Sequence, residues 1–269
     1  MRFETAAQFL LPFLQPAQRK SGTGFERFVV ACADDAVEVT VVRHPRARNY
    51  NLRIKESSRQ AVLTMPRRGS LREARAFAER NAAWIAARLS RLPAAVPFAP
   101  GVSIPLHGIA HAIEHRPKAR GTVWTEERNG QAILCVTGPP EHLRRRVMDF
   151  LKREARRELT EASRRYAAML DVRIGRIGVR DTGSRWGSCS FEGSLSFSWR
   201  LVLAPPSVLD YLAAHEVAHR VELNHSRRFW RVVERLFPEW RRAEAWLKAH
   251  GNGLHRFGAA SHTSNNPSP

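Results

Sequence analysis

The sequence predicts an α+β protein, with a β-rich first half containing one helix and a helical second half. In that second half a β-hairpin precedes a helix that carries histidines. Three observations predict this. Runs rich in β-branched residues dominate before residue 70, and apolar residues recur at three- and four-residue steps over 141–170 and 207–219. Between those two helical stretches, RWGSCSFEGSLSFSW (185–199) reads as a hairpin.

The elements follow in order. Residues 1–27 read as a flexible extension that closes on RKSGTG. A β-rich region, 28–140, begins with VEVTVV (37–42), YNLRI (50–54) and AVLTM (61–65). Ser70 and Glu73 make an S-x-x-E capping box for one helix over 71–89, which the Pro-rich PAAVPFAPG (93–101) ends. The dipeptide Asn129-Gly130 suits a type I′ hairpin turn. From Glu141 to Leu170 runs an Arg-rich helix with Leu143, Val147, Phe150, Leu151, Leu159, Tyr166 and Leu170 on its apolar side. A strand over 173–179, the hairpin and two or three helices complete a domain over 141–257. The polar tail 258–269 has nothing to pack. No internal repeat is visible in the sequence.

Composition narrows the function. The chain of 269 residues is 43% apolar and 26% charged, as in soluble globular proteins with a well-buried core. Lys and Arg number 44 against 25 Asp and Glu, for a net charge of +19. Such a field attracts polyanions such as nucleic acid, nucleotides or acidic peptides, or serves solubility alone. The basic helix 141–170 is the candidate nucleic-acid contact, and a solvated helix face has the same pattern. Three scattered cysteines without a C-x-x-C make a disulfide framework or a cysteine metal site poor readings and favour a reducing compartment. The N-terminus lacks a signal-peptide pattern, and no run reaches the ~18 apolar residues of a membrane span. The expectation is a cytoplasmic protein; the sequence carries no signature of oligomeric state.

The chemistry is concentrated in HEVAHRVELNH (215–225). Helical spacing puts His215 and His219 on one face, able to share a metal ion. Glu216 is placed to act on a water at that metal without being a ligand. Two neutral nitrogen ligands, an open coordination position and an adjacent base are what metal-assisted hydrolysis needs. On a continuous helix His225 would stand about 15 Å beyond His215, so the chain must turn. The predicted break follows Leu223, with Asn224 in the left-handed conformation and Ser226 capping the next helix, RRFWRVVERLF. Ser207, after two prolines, is the expected cap of the histidine helix. Glu222 is an alternative oxygen ligand or a salt-bridge partner.

This stretch, with RWGSCS and FSWRLVLAPPSVLDYLAAHE before it, resembles the YgjP-like family of zinc metallohydrolases, relatives of the SprT-like metalloproteases. The similarity is densest over Arg185–Trp230. The resemblance implies a zincin-like second half, one zinc ion on His215, His219 and His225, and Glu216 as base. Metzincins have glycine where Glu222 stands, so that narrower likeness fails. In zincins an edge strand beside the metal binds extended substrate backbone. Trp186 and Trp199 are then substrate contacts or core packing. Arg185 and Arg200 can hold an anionic substrate or oxyanion, or pair with Asp181 and Asp210. Tyr211 can hydrogen-bond an intermediate or simply pack in the core, and Cys189 reads as a small buried residue.

The expected function is zinc-dependent hydrolysis, with a peptide or other anionic substrate and Glu216 moving the proton. A metallopeptidase is the first reading. A phosphoanhydride (nucleoside triphosphate) hydrolase is the second, and a nucleic-acid-binding protein with a structural metal is the third.

Overall fold

The computed structural model describes residues 26–258, apart from 33–34, 56–59, 93 and 184. The expected extension, but for its last two residues, and the tail beyond Gly258 lie outside the described residues. The chain divides into two compact units between Ala94 and Ala95.

The first unit is a four-stranded sheet with two helices. Its strands are β1 (Glu26–Cys32), β2 (Asp35–His44), β3 (Asn51–Lys55) and β4 (Gln60–Pro66), in the order β1-β2-β4-β3. β2 and β4 pair parallel, and the outer pairs are antiparallel. Alternate positions Val39, Val41, Leu63 and Met65 pack with Ala74, Ala78 and Ile85 of the helices in one core. The capping box forms as expected: the Ser70 hydroxyl accepts from the Glu73 amide at 3.1 Å, and the Glu73 carboxylate accepts from the Ser70 amide at 3.2 Å. The single expected helix is two, α1 (Leu71–Arg80) and α2 (Ala82–Ser90). Asn81 breaks it: its side-chain amide donates to the Phe77 carbonyl at 2.7 Å, and its backbone leaves the helical region at φ −105°, ψ 14°.

The second unit opens with β5 (Ser103–Leu106), β6 (Ile109–His115), β7 (Val123–Arg128) and β8 (Gln131–Val136), in the order β5-β6-β8-β7. Order and pairing sense are those of the first sheet, a likeness the sequence did not reveal. Asn129 and Gly130 have φ of 52° and 74°, the signs a type I′ turn requires. The long helix α3 (Leu143–Met169) buries its apolar stripe against this sheet and against the helices that follow. Ile104, Ile113, Leu134, Leu151, Leu159, Leu209 and Val217 belong to one core. The boundary expected after residue 140 therefore falls inside a unit, because β5–β8 and α3 bury their apolar faces together.

A small sheet of β9 (Ile177–Arg180), β10 (Gly187–Cys189) and β11 (Leu195–Ser198) has the order β10-β11-β9. β9 starts four residues later than expected, because only from Ile177 is the chain in parallel register with β11. A 3-10 turn, Trp199–Leu203, leads to α4 (Pro206–Ala218), followed by α5 (Arg227–Leu236) and α6 (Trp240–Leu254). Pro205, not Ser207, is the cap of α4, since Pro206 suits a first helical turn whose N–H groups lack partners anyway. Every α4 residue from Val208 to Ala218 except Asp210 is buried. A helix buried on all sides places whatever polar groups it carries inside the core. Among the described residues no helix is long and apolar enough to cross a membrane.

The β5–β6 turn docks on the segment before α4. The His107 and Gly108 amides donate to the Val202 and Leu203 carbonyls at 2.8 and 3.1 Å, and His107 Nε2 meets Glu158 Oε1 at 2.9 Å. The hydrogen bond to Glu158 raises the His107 pKa above its ordinary value, against the opposing effect of burial. Its stabilisation is complete below the unfolded-state value of about 6.5 and is lost as pH rises through the folded-state value. The thermal-midpoint difference between wild type and His107→Asn, which tolerates the φ of 55°, should be largest at pH 6 and shrink by pH 9. A gap independent of pH would mean the ion pair contributes nothing.

Candidate metal centre

The last turn of α4 and the loop after it build the site. His215 and His219 lie one turn apart with ring centroids 5.2 Å apart. The helix ends at Ala218, with His219 as its cap, and the chain then tightens: Arg220 donates to the Val217 carbonyl at 2.9 Å, and Val221 to that of Ala218 at 3.0 Å. The break thus comes earlier than expected. Asn224 is not left-handed either, for His107, Asn129 and Asp171 are the described non-glycine residues with positive φ. Shorter hydrogen-bonded turns reverse the chain without it. Ser226 then caps α5 as expected, its hydroxyl accepting from the Phe229 amide at 3.3 Å.

The reversal brings His225 back over α4. Its Nε2 lies 3.0 Å from Nε2 of His215, and one ring nitrogen from each of the three histidines falls within 4.8 Å of the others. All three rings pack on Phe229, with centroids 4.9, 4.5 and 4.7 Å away for His215, His219 and His225. Trp230 flanks His215 and His225 and stacks on Trp240 at 4.3 Å. Sequence reasoning singled out neither Phe229 nor Trp230. The available signal was an aromatic pair one helical turn past the third histidine.

The outer nitrogens have partners too. His219 Nδ1 donates to the Glu222 carbonyl at 3.1 Å, so Glu222 meets the site through its backbone, not its carboxylate. The Tyr211 hydroxyl lies 3.4 Å from His215 Nδ1, on the outer side of the ring. Burial lowers the pKa of all three histidines: His215 well below the ordinary value, His219 to about 4, and His225 in the same direction. Neutral imidazoles are the form a metal ion requires. The His215 and His225 Nε2 atoms lie 3.0 Å apart, close enough to share one cation. Nitrogens on one zinc ion at 2.0–2.1 Å stand roughly 3.3 Å apart, so the donor set fits such an ion.

Glu216 is buried, and burial pushes its carboxyl up to about 8, with Arg185 the cation that opposes the shift. Its neighbour is β10. A Cβ built on Gly187 would stand 2.7 Å from Cγ and 2.8 Å from Cδ of Glu216, so only glycine lets the strand lie against this side chain. A glycine inside a strand pattern signals such a close approach; Gly187 went unremarked in the sequence.

Other expected contacts sort differently. Arg200 is fully buried, ion-paired with Asp181 and packed over Trp199 at 4.4 Å, while Asp210 pairs instead with Arg165 at 2.5 Å. Trp199 is core; Trp186 is half-buried and stacks on His255 at 4.9 Å. Burial pushes the Cys189 thiol up to about 11, which leaves it protonated and unreactive at neutral pH. Along α3 the basic stripe is interrupted. Arg145 meets Asp149 at 3.5 Å, Arg157 meets Glu154 and Glu158 at 2.9 and 3.0 Å, and Arg146 donates to the Thr137 carbonyl at 2.6 Å. The face is one of mixed charge.

A family model described as "YgjP-like, metallopeptidase domain" matches residues 48–250. Among solved structures, the crystal structure of the metallopeptidase zymogen of Pyrococcus abyssi abylysin aligns at 22% identity and a TM-score of 0.32. The alignment covers 34% of this chain and 92% of that one. No curated protein matches the sequence.

The contact between Gly187 and Glu216 is testable by itself. Gly187→Ala should destabilise the protein by about 1–3 kcal/mol, as overpacking of a filled core does, seen as a lower thermal midpoint. A midpoint equal to that of wild type would show that the strand or the glutamate yields freely.

Proposed function

Because the chain belongs to the YgjP-like metallopeptidase family, we propose that it is a zinc-dependent metallopeptidase. His215, His219 and His225 hold one ion, and Glu216 is the general base. The observation that carries this reading is the convergence of three neutral imidazoles within 4.8 Å, next to the buried Glu216. An all-imidazole donor set suits zinc, as it does other borderline transition metals, and the hydrolytic chemistry of the family favours zinc. The surroundings read as zincin-like, with the histidine helix lying beside a β-hairpin.

Zinc, when bound, supplies a water of lowered pKa and polarises the substrate carbonyl. The protein supplies the rest. Glu216 takes the proton of the attacking water and returns it to the leaving amine; a cation bound beside it would favour the carboxylate form that this task needs. The packing of Gly187 limits where that carboxylate can point. β10 is an end strand of its sheet, and its outer edge suits main-chain hydrogen bonds to an extended peptide. Arg185 is exposed, with its charge acting on Glu216, and is the cation best placed to meet an anionic substrate group.

The other readings have less support. Arg200 is occupied by Asp181, which removes one of the two arginines a phosphoanhydride would have met. A closed structural site needs a fourth ligand, and among the described residues no carboxylate or thiolate joins the three histidines.

Purified protein should carry about one equivalent of zinc, and His219→Ala should lose most of it; full zinc in that variant would remove His219 from the ligand set. Glu216→Gln should keep zinc and the wild-type thermal midpoint while peptide hydrolysis falls at least about 100-fold. Turnover at the wild-type rate would place the base elsewhere.

A further inference from the structure

A histidine that binds a metal must turn one nitrogen's lone pair to the ion, and the hydrogen bond at its other nitrogen decides which one. Phe229 packs against all three rings, but an apolar surface cannot tell Nδ1 from Nε2. For His219 the Glu222 carbonyl makes the choice. For His215 the partner is a side chain.

Tyr211 lies one turn before His215 on α4, on the same helix face. It is 2% exposed, and a hydroxyl so buried needs a partner. The hydrogen bond the structure provides is to His215 Nδ1 at 3.4 Å, with the two rings edge to face at 5.7 Å. On the other side of the same imidazole, Nε2 faces Nε2 of His225. The geometry points to Tyr211 as a positioning residue for the metal centre: it accepts the His215 Nδ1 proton and so holds the Nε2 lone pair towards the histidine cluster. This inference rests on the metal-site reading above. It differs from a role in contacting the reacting substrate, because the hydroxyl lies on the side of His215 turned away from the cluster. Burial pushes the phenol pKa upward, so the hydroxyl stays neutral over the working pH range.

Nitrogen-15 NMR of the zinc-loaded protein, chelator competition for zinc and the thermal midpoint of the zinc-free protein test it together, in wild type and Tyr211→Phe. In wild type, His215 should carry its proton on Nδ1, protected from solvent exchange. Tyr211→Phe should lose that protection and weaken the zinc Kd about tenfold or more, the range for losing a partner behind a ligand, with the zinc-free midpoint moving little. A residue important only for packing would do the reverse, lowering the midpoint and leaving the Kd alone. Wild-type zinc affinity in the folded variant overturns the inference, as does a wild-type spectrum with the His215 proton on Nε2. That spectrum decides the matter even where the variant does not fold. A wild type that binds no zinc overturns the metal reading itself, whereas unchanged affinity in Tyr211→Phe overturns this inference alone.

Discussion

Three imidazoles sit where water is scarce, and each must stay neutral and keep its nitrogens satisfied. Much of the second unit can be understood as an answer to that demand. α4 is buried from Val208 to Ala218 except at Asp210, so His215 and Glu216 cannot turn to solvent. Phe229 supplies a common surface for all three rings. The Glu222 carbonyl and the Tyr211 hydroxyl take the outward nitrogens of two of them. The inner nitrogens converge within 4.8 Å of one another and are the candidate donors for a metal ion.

How much of this was legible beforehand depended on whether a feature lives in local spacing or in packing. The pair His215 and His219, the need for a reversal before His225, and the Ser226 cap follow from helix geometry, and all were readable. The place and manner of the reversal were not. Helix ends are decided by which carbonyls find partners, and here tight turns at Val217 and Ala218 close the helix without a left-handed residue. Gly187, Phe229 and the roles of Tyr211 and Glu222 were equally hidden. Each depends on which surface of one segment meets another distant in sequence, and apolar periodicity does not reveal that.

The boundary between units shows the same limit. Proline-rich sequence near 93–101 and the start of a long helix near 141 are comparable punctuation marks. Only shared burial of β5–β8 with α3 decides that the chain divides at the first and continues through the second. Both four-stranded sheets follow one plan, with an antiparallel pair at each side and a parallel pair in the middle. Backbone pairing can recur without a shared side-chain pattern, so this repetition is invisible to a search for sequence repeats.

His219 is steadied by a backbone oxygen, while the contact behind His215 depends on one hydroxyl. A carbonyl survives the exchange of its side chain. Position 222 can therefore change chemical character freely in descendants of this chain, whether to glycine, lysine or alanine, and still hold the imbedded ring in place. Proline is the exception, since the Glu222 amide also bonds to Ala218 at 3.0 Å. Position 211 has no such latitude. Two neighbouring imidazoles are thus held by different means, one through a side chain and the other through the backbone.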